Sequence, residues 1–394
     1  MFLVITMSKI FFHIDVNNAF LSWEAVLRLK EGEKIDLRTI PSAVAGDPKM
    51  RTGIILAKSK PAKDMGIKTG DTIFQAKNKC PNLYLVPPKH NLYELESKKL
   101  YNLLTNFSDV IEKYSIDEYF IEYIPLLGDY LDVAKTIKQK VYDELGFTVN
   151  IGISDVKYLS KVASDFEKPN KIHTLFKSEI EKKFWPLPIE DMFLVGSKTA
   201  TKLRNIGINT VYKLAHTDLS ILKTHLKSQG EELFNFAWGK DIDKRHEKKS
   251  IPKSVGHSKT SSYDLINLDE IYVFLLDVVN ETSIRLRKEH MKAKTITVTV
   301  KTGNFKVYSS SKTINFATNI TSELFKTSKN IFNEMYKGEP LRLIGISFSN
   351  LEIDKVQQLN IFETLDEKHH KADVTIDALL DKYKDITISR ASLL

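Results

Sequence analysis

Residues 13–20 read His13-Ile14-Asp15-Val16-Asn17-Asn18-Ala19-Phe20, and how this stretch is read decides the fold. The apolar run from Ile10 to Ile14 predicts a buried strand, with Asp15 following at once. From Ala19 to Lys30, Phe20, Trp23, Val26, Leu27 and Leu29 recur at helical spacing. An acid thus stands where a buried strand hands over to a helix. Outward from it, helices are predicted at residues 92–106, 130–145 and 158–166, and strands at 110–114, 119–123 and 147–153. Strand, helix, strand, strand, helix, strand is the ferredoxin-like order. It puts Asp15 near one strand's end and Asp117-Glu118 in the hairpin of two others, where all three can meet on one sheet.

Between the first two helices, residues 40–75 mix short strands (42–45 and 53–57) with loops. Pro186-Leu187-Pro188 opens a unit of short helices punctuated by Gly196, Gly207 and Gly230. Residues 240–253 are charged and weakly apolar, as a linker would be. A second α/β unit is expected at 254–350, with helices at 268–289 and 320–336 and strands at 295–300, 306–313 and 341–349. A chain of 394 residues divided in this way has room for two to four domains.

Charge is unevenly placed. Residues 171–250 and 251–350 each carry a net of +5, whereas 351–394 carry −3. A basic middle suits a polyanion backbone, and equally a lysine-rich solvated surface. The single cysteine, Cys80, excludes an intramolecular disulfide and a multi-cysteine zinc site. The apolar start from Met1 to Thr6 is too short for a membrane span or signal peptide, and Met7 offers a second start. A soluble, cytoplasmic protein with no membrane partner is expected.

The acids have two physical readings. Asp15 could cap the following helix and Asp117-Glu118 could be turn residues, which is the commoner use of such residues. Alternatively, acids in an apolar setting need a partner to be buried, and a hard divalent cation is one.

The motifs around them resemble those of one family. Residues 14–20 together with Tyr114-Ser115-Ile116-Asp117-Glu118 look like the two catalytic motifs of Y-family DNA polymerases, the lesion-bypass enzymes related to DNA polymerase IV and UmuC. Gly152-Ile153-Ser154, Lys161-Val162-Ala163-Ser164-Asp165, Lys168-Pro169-Asn170 and the strand 341–346 follow in the family's order, over about residues 8–350. The resemblance implies an α+β multidomain, right-hand polymerase: a ferredoxin-like palm (8–22 and 76–170), small fingers (23–75), a helix-hairpin-helix thumb (171–240), a linker (241–253) and an α/β little finger (254–350). It implies template-directed addition of deoxynucleotides with low fidelity, with two Mg2+ ions on Asp15, Asp117, Glu118 and the Val16 carbonyl. Phe20 falls at the steric gate that excludes ribonucleotides, and Lys168 at a triphosphate contact.

Two departures stand out. Asn17 replaces an acid that is not a metal ligand, and Lys60 and Lys63 stand where the family has a Tyr and an Arg on the triphosphate. Lysine offers charge there without arginine's bidentate fork.

Primer-template DNA, deoxynucleoside triphosphates and a bacterial sliding clamp are the implied partners of a monomer. Residues 192–203 resemble a helix-hairpin-helix hairpin, with Gly196, Lys198 and Lys202 placed for phosphate. Arg285, Arg287 and Lys288 crowd one helix end, where little-finger residues line a duplex, or simply complement the helix dipole. Gln358-Leu359-Asn360-Ile361-Phe362 resembles the clamp-binding peptide, with residues 351–394 as that segment and a tail. The rival readings are a DNA- and clamp-binding accessory protein without catalysis, and a palm-fold cyclase. The complete acid set argues against the first, and the thumb-like and clamp-like segments against the second.

Overall fold

The computed structural model describes residues 9–47, 49, 53–124, 128–240, 252–354, 367–383 and 388. The chain divides into two compact units, residues 1–46 with 54–247, and 248–394 with 47–53.

In the first unit the order is β1 (Phe11–Val16), α1 (Ala19–Lys30), β2 (Ser42–Ala45), β3 (Ile55–Lys58), α2 (Lys60–Asp64), α3 (Ile73–Lys79), β4 (Tyr84–Val86) and α4 (His90–Leu104). It continues with β5 (Ile111–Lys113), β6 (Glu118–Glu122), α5 (Tyr130–Lys140), β7 (Val149–Ser154), α6 (Lys157–Asp165) and β8 (Ile172–Thr174). The main sheet runs β5-β6-β1-β7-β8. Its first four strands are the ferredoxin-like arrangement expected, with β1 antiparallel to both β6 and β7. The edge strand β8, parallel to β7, was not foreseen. Phe12, Ile14, Tyr119 and Ile151 fill one core of this sheet.

Helix α6 lies hard against β7. A Cβ on Gly152 would sit 1.9 Å from the Ser160 carbonyl oxygen and 2.4 Å from the Ser164 nitrogen, so only glycine admits the helix there. His13 fastens the contact from β1, its Nδ1 lying 2.8 Å from Ser164 Oγ. Burial, with Lys161 and Lys168 nearby, drives the His13 pKa well down, so the ring is neutral.

The residues between α1 and α4 form a small sheet, β3-β2-β4. Two side-chain caps start its helices. Ser59 caps α2, and Thr72 with Gln75 forms a capping box on α3. The unit ends in α7 (Ser197–Asn205), α8 (Val211–Ala215), α9 (Leu219–Leu226) and α10 (Ser228–Ala237), packed around Leu203, Leu214, Leu222 and Phe236.

The second unit holds β9 (Ser254–Leu265), α11 (Leu268–Lys288), β10 (Met291–Thr302), β11 (Val307–Thr318), α12 (Thr321–Met335), β12 (Leu341–Ile353) and α13 (Glu367–Lys382). Its sheet is antiparallel, ordered β11-β10-β12-β9, and α11 and α12 bury Ile296, Val298, Ile344 and Ile346 beneath them. Three strands exceed their expected lengths. Strand β9 has no counterpart among the expected elements, because it alternates serine and glycine with small or polar residues and carries no apolar period. Helix α13 likewise lies outside the expected elements.

Candidate active site

Two of the acids lie inside strands, and Asp117 lies in the hairpin between β5 and β6. Asp15 is the fifth residue of β1 and pairs across the ladder with Glu118, the first residue of β6. The next rung is closed by the Val16 amide donating to the Asp117 carbonyl at 3.1 Å. Register alone therefore places Asp15 and Glu118 side by side on one face. The capping alternative fails: Asn18 precedes α1 in a left-handed conformation, and no side chain caps that helix. The turn reading holds in part, since Ser115 Oγ donates to Asp117 Oδ1 at 2.7 Å within the hairpin.

Each strand carboxylate faces a lysine. Lys168 Nζ donates to Asp15 Oδ2, and Lys161 Nζ donates to Glu118 Oε1. Lys168 also pairs with Asp165 at 2.7 Å. Burial raises the Asp15 pKa to about 6, with Glu118 and Asp117 adding to the rise and Lys168 opposing it. Burial pulls the Lys168 ammonium down, but Asp15 and Asp165 outweigh it and its pKa is raised. Along the sequence Lys161 is only part of a motif; the signal for its pairing with Glu118 is its place one helical turn before Asp165, on the helix that Gly152 admits to the sheet.

Asn17 has a clear task. Its Oδ1 accepts from the Asn170 amide at 2.8 Å and from Thr148 Oγ1 at 3.0 Å, while its Nδ2 donates to Asn150 Oδ1 at 3.1 Å. An amide both donates and accepts here, which a carboxylate cannot do. The network fixes the turn that presents Lys168.

A cleft of about 320 Å³ opens over these groups, lined by Asp15, Val16, Phe20, Asp117 and Lys168 on one side and by Lys58, Lys60 and Lys63 from the small sheet and α2. Lys60 pairs with Asp64 in its own helix. Lys58, not foreseen, reaches Thr69 at 3.0 Å, and burial together with Lys63 lowers its pKa. Phe20 borders the cleft and stacks on Tyr93 with 4.6 Å between ring centroids.

The donor set fits a hard divalent cation. Asp15, Asp117 and Glu118 offer carboxylate oxygens, and a buried carboxylate such as Asp15 calls for a cationic partner. Among the described residues no three His, Cys, Asp or Glu side chains already close around one point, and Lys161 and Lys168 are paired with two of the acids.

Other expected contacts divide. Gly196 and Lys198 are exposed at the start of α7 and Lys202 in its last turn, and beyond Gly196 and its chain neighbours no described atom lies within 4 Å of where a Gly196 Cβ would be. In the second unit Arg285 is exposed, but Arg287 is not available to a duplex. Its guanidinium is buried under α13, with Nε 2.6 Å from Asp377 and Nη1 3.4 Å from Asp373, and it also donates to the Asn319 carbonyl. Lys288 pairs with Asp381 on the same helix at 3.0 Å. The acidic tail, read only as charge, thus supplies three aspartates at helical spacing that take up these cations.

What this sheet presents instead is hydroxyl. Across β11-β10-β12-β9 one row reads Thr313, Thr295, Ser349, Ser254, and the next Ser311, Thr297, Ser347, Gly256. These alternate with Ile296 and Val298, which are buried, and so occupy the face away from α11 and α12. Gln358, Leu359, Ile361 and Phe362 lie outside the described residues. No helix among the described residues is long and apolar enough to cross a membrane.

A ferredoxin-like sheet bearing paired acids under a lysine-rimmed cleft, with a helical unit and a second α/β unit, defines the right-hand polymerase class. The chain matches the impB/mucB/samB family at residues 14–165, that family's helix-hairpin-helix motif at 177–208 and its C-terminal domain at 252–361, and it belongs to this family. It is 41% identical to DNA polymerase IV of Clostridium acetobutylicum, over 98% of this chain and 99% of that protein. It is 35% identical to DNA polymerase IV of Alkaliphilus oremlandii, over 98% and 100%. In fold it is similar to a Y-family DNA polymerase chimera of Dbh and Dpo4, with a TM-score of 0.74 and 24% identity over 87% of this chain and 99% of that one.

Proposed function

We propose that this chain is a template-directed DNA polymerase of the lesion-bypass type, extending a primer 3′ end with deoxynucleotides at low fidelity in the cytoplasm. The observation that carries this reading is the β1–β6 register, which sets Asp15 beside Glu118 with Asp117 on the adjoining rung. Asp15, Asp117, Glu118 and the Val16 carbonyl would hold two Mg2+ ions. Such ions, when bound, lower the pKa of the primer hydroxyl and stabilise an in-line displacement at phosphorus.

The remaining tasks fall to the chain's own residues. Lys168 exchanges Asp15 for the incoming triphosphate, and Lys60 and Lys63 meet that triphosphate from α2. Phe20 sets the wall beneath the sugar. The palm is residues 8–22 and 76–170, the fingers 23–75, the thumb 171–240, the linker 241–253 and the little finger 254–350. Gly196, Lys198 and Lys202 hold the duplex backbone from the thumb. The hydroxyl rows and Arg285 serve the little finger, in place of Arg287. Residues 358–362, within the 351–394 tail, bind a sliding clamp, and the enzyme works as a monomer.

Primer extension by Asp117→Ala or Glu118→Ala is the direct test. Activity should fall about a thousandfold or more when a metal-holding carboxylate is lost. Full activity in either variant would sink the assignment.

A further inference from the structure

Phe20 has a backing that the proposed mechanism does not use. It stands in the first turn of α1, and Glu24 follows four residues later, so both side chains project from one face of the helix. Both meet Tyr93 of α4. Phe20 lies flat on the Tyr93 ring, 4.6 Å between centroids and 16° between planes. Glu24 Oε1 accepts the Tyr93 hydroxyl at 3.0 Å in a buried contact. The Glu24 side chain is wholly buried, and Lys89, at the entry to α4, brings its ammonium to 3.7 Å from Oε2. Tyr93 is also wholly buried, with the Trp23 ring tilted against it, 5.9 Å between centroids. Burial, and the nearby Glu24 carboxylate, push the Tyr93 pKa up, so the phenol keeps its proton and remains a donor.

A phenylalanine at position 93 would fill the same space at no polar cost, and position 24 could be apolar. A buried carboxylate is expensive, and its presence here asks for a return. The hydroxyl-to-carboxylate bond fixes how far the Tyr93 ring can slide or turn, and the stacked Phe20 ring is fixed with it. A wall meant to reject one added hydroxyl on a sugar must not yield by a fraction of an ångström, because an apolar wall alone discriminates weakly against such an isostere.

We propose that Glu24 and Tyr93 are positioning residues for sugar selection: they hold the face of Phe20 rigid, so that a 2′-hydroxyl is excluded. This rests on the reading of Phe20 as the gate.

The test compares incorporation of ribonucleoside and deoxynucleoside triphosphates by the full-length chain and its Phe20→Ala, Tyr93→Phe and Glu24→Gln variants. Tyr93→Phe keeps the ring and removes only the hydroxyl. It should raise kcat/KM for the ribonucleotide by about tenfold, leaving kcat for the deoxynucleotide within about twofold, as expected when a misplacement under one ångström relaxes a pocket. Glu24→Gln keeps an acceptor and should relax selection by about threefold, and Phe20→Ala should relax it most. If Phe20→Ala collapses selection while Tyr93→Phe and Glu24→Gln match the parent, the gate stands and this proposal is overturned. An equal loss of both activities in Tyr93→Phe, with a lowered Tm, also overturns it, because the role is then structural. If Phe20→Ala leaves selection unchanged, the gate reading fails and this proposal falls with it.

Discussion

The two large sheets of this molecule treat charge in opposite ways. In the first unit the sheet brings acids together at a rung, Asp15 beside Glu118, and sets lysines against them at the floor of an open cleft. In the second unit the basic residues at the end of α11 and the start of β10 are largely taken up by the chain itself. Arg287 and Lys288 go to the aspartates of α13, Lys292 to Asp354 and Lys294 to Glu352. The surface that sheet offers is a grid of serine, threonine and glycine. The difference teaches that clustered charge in a sequence reports where charge is, not whether it is free. A cation facing an acidic helix of its own chain is a fastener, whereas a cation lining an open cleft stays within reach of solvent.

The comparison breaks most readily at Arg287. If the arginine is a fastener, Arg287→Met should destabilise the second unit by about 3–5 kcal/mol, the usual cost of leaving buried carboxylates without their partner. Thermal or urea unfolding would show it, with little change in DNA affinity measured well below the transition. A weakened affinity with unchanged stability would make Arg287 a duplex contact after all.

Asp15 tests the other sheet. Its folded pKa of about 6 stands above the ordinary 3.8, so the native state binds a proton more tightly than the unfolded chain. Stability should therefore fall as pH rises from about 4 to about 6, by up to about 3 kcal/mol, and stay at the lower level above that window. Unfolding measured across this range in a chelator should show the slope, and Asp15→Asn should flatten it. Added Mg2+ should also reduce the slope, because a dication favours the ionised carboxylate.

A smaller effect is expected on the hydroxyl grid. Thr297→Glu with Ser347→Glu places two negative charges on the open face, and DNA affinity at moderate salt should fall by about tenfold if a phosphate backbone runs there. An unchanged affinity would reassign the duplex to another surface. The smallest change is at the thumb, where Lys198→Ala and Lys202→Ala should each reduce the slope of log affinity against log salt by about one. A slope equal to that of the parent chain would show these lysines to be merely solvated.

Much of this was legible beforehand. The period-two and helical patterns around residues 10–30 and 110–165 gave the ferredoxin-like order, and the ordered motifs contain Asp15, Asp117, Phe20 and Lys168, which the fold brings to one cleft. The misreadings have physical causes. Strand β9 has no apolar alternation, because its outward residues are small and polar and its inward ones partly so. Asp15 looked like a residue after a strand because an acid ends the apolar run, yet the ladder continues through Val16.

The sequence by itself determined which residue types stand at the rung, the cleft wall and the turn, since local spacing and side-chain chemistry suffice for that. Tertiary structure alone decided their partners. Lys161 meets Glu118 because Gly152 lets α6 close on the sheet, and Tyr93 backs Phe20 because α4 crosses behind α1. Arg287 is buried because a helix about ninety residues further on folds over it. Pairings at such separations depend on how elements pack, and no local pattern along the chain encodes them.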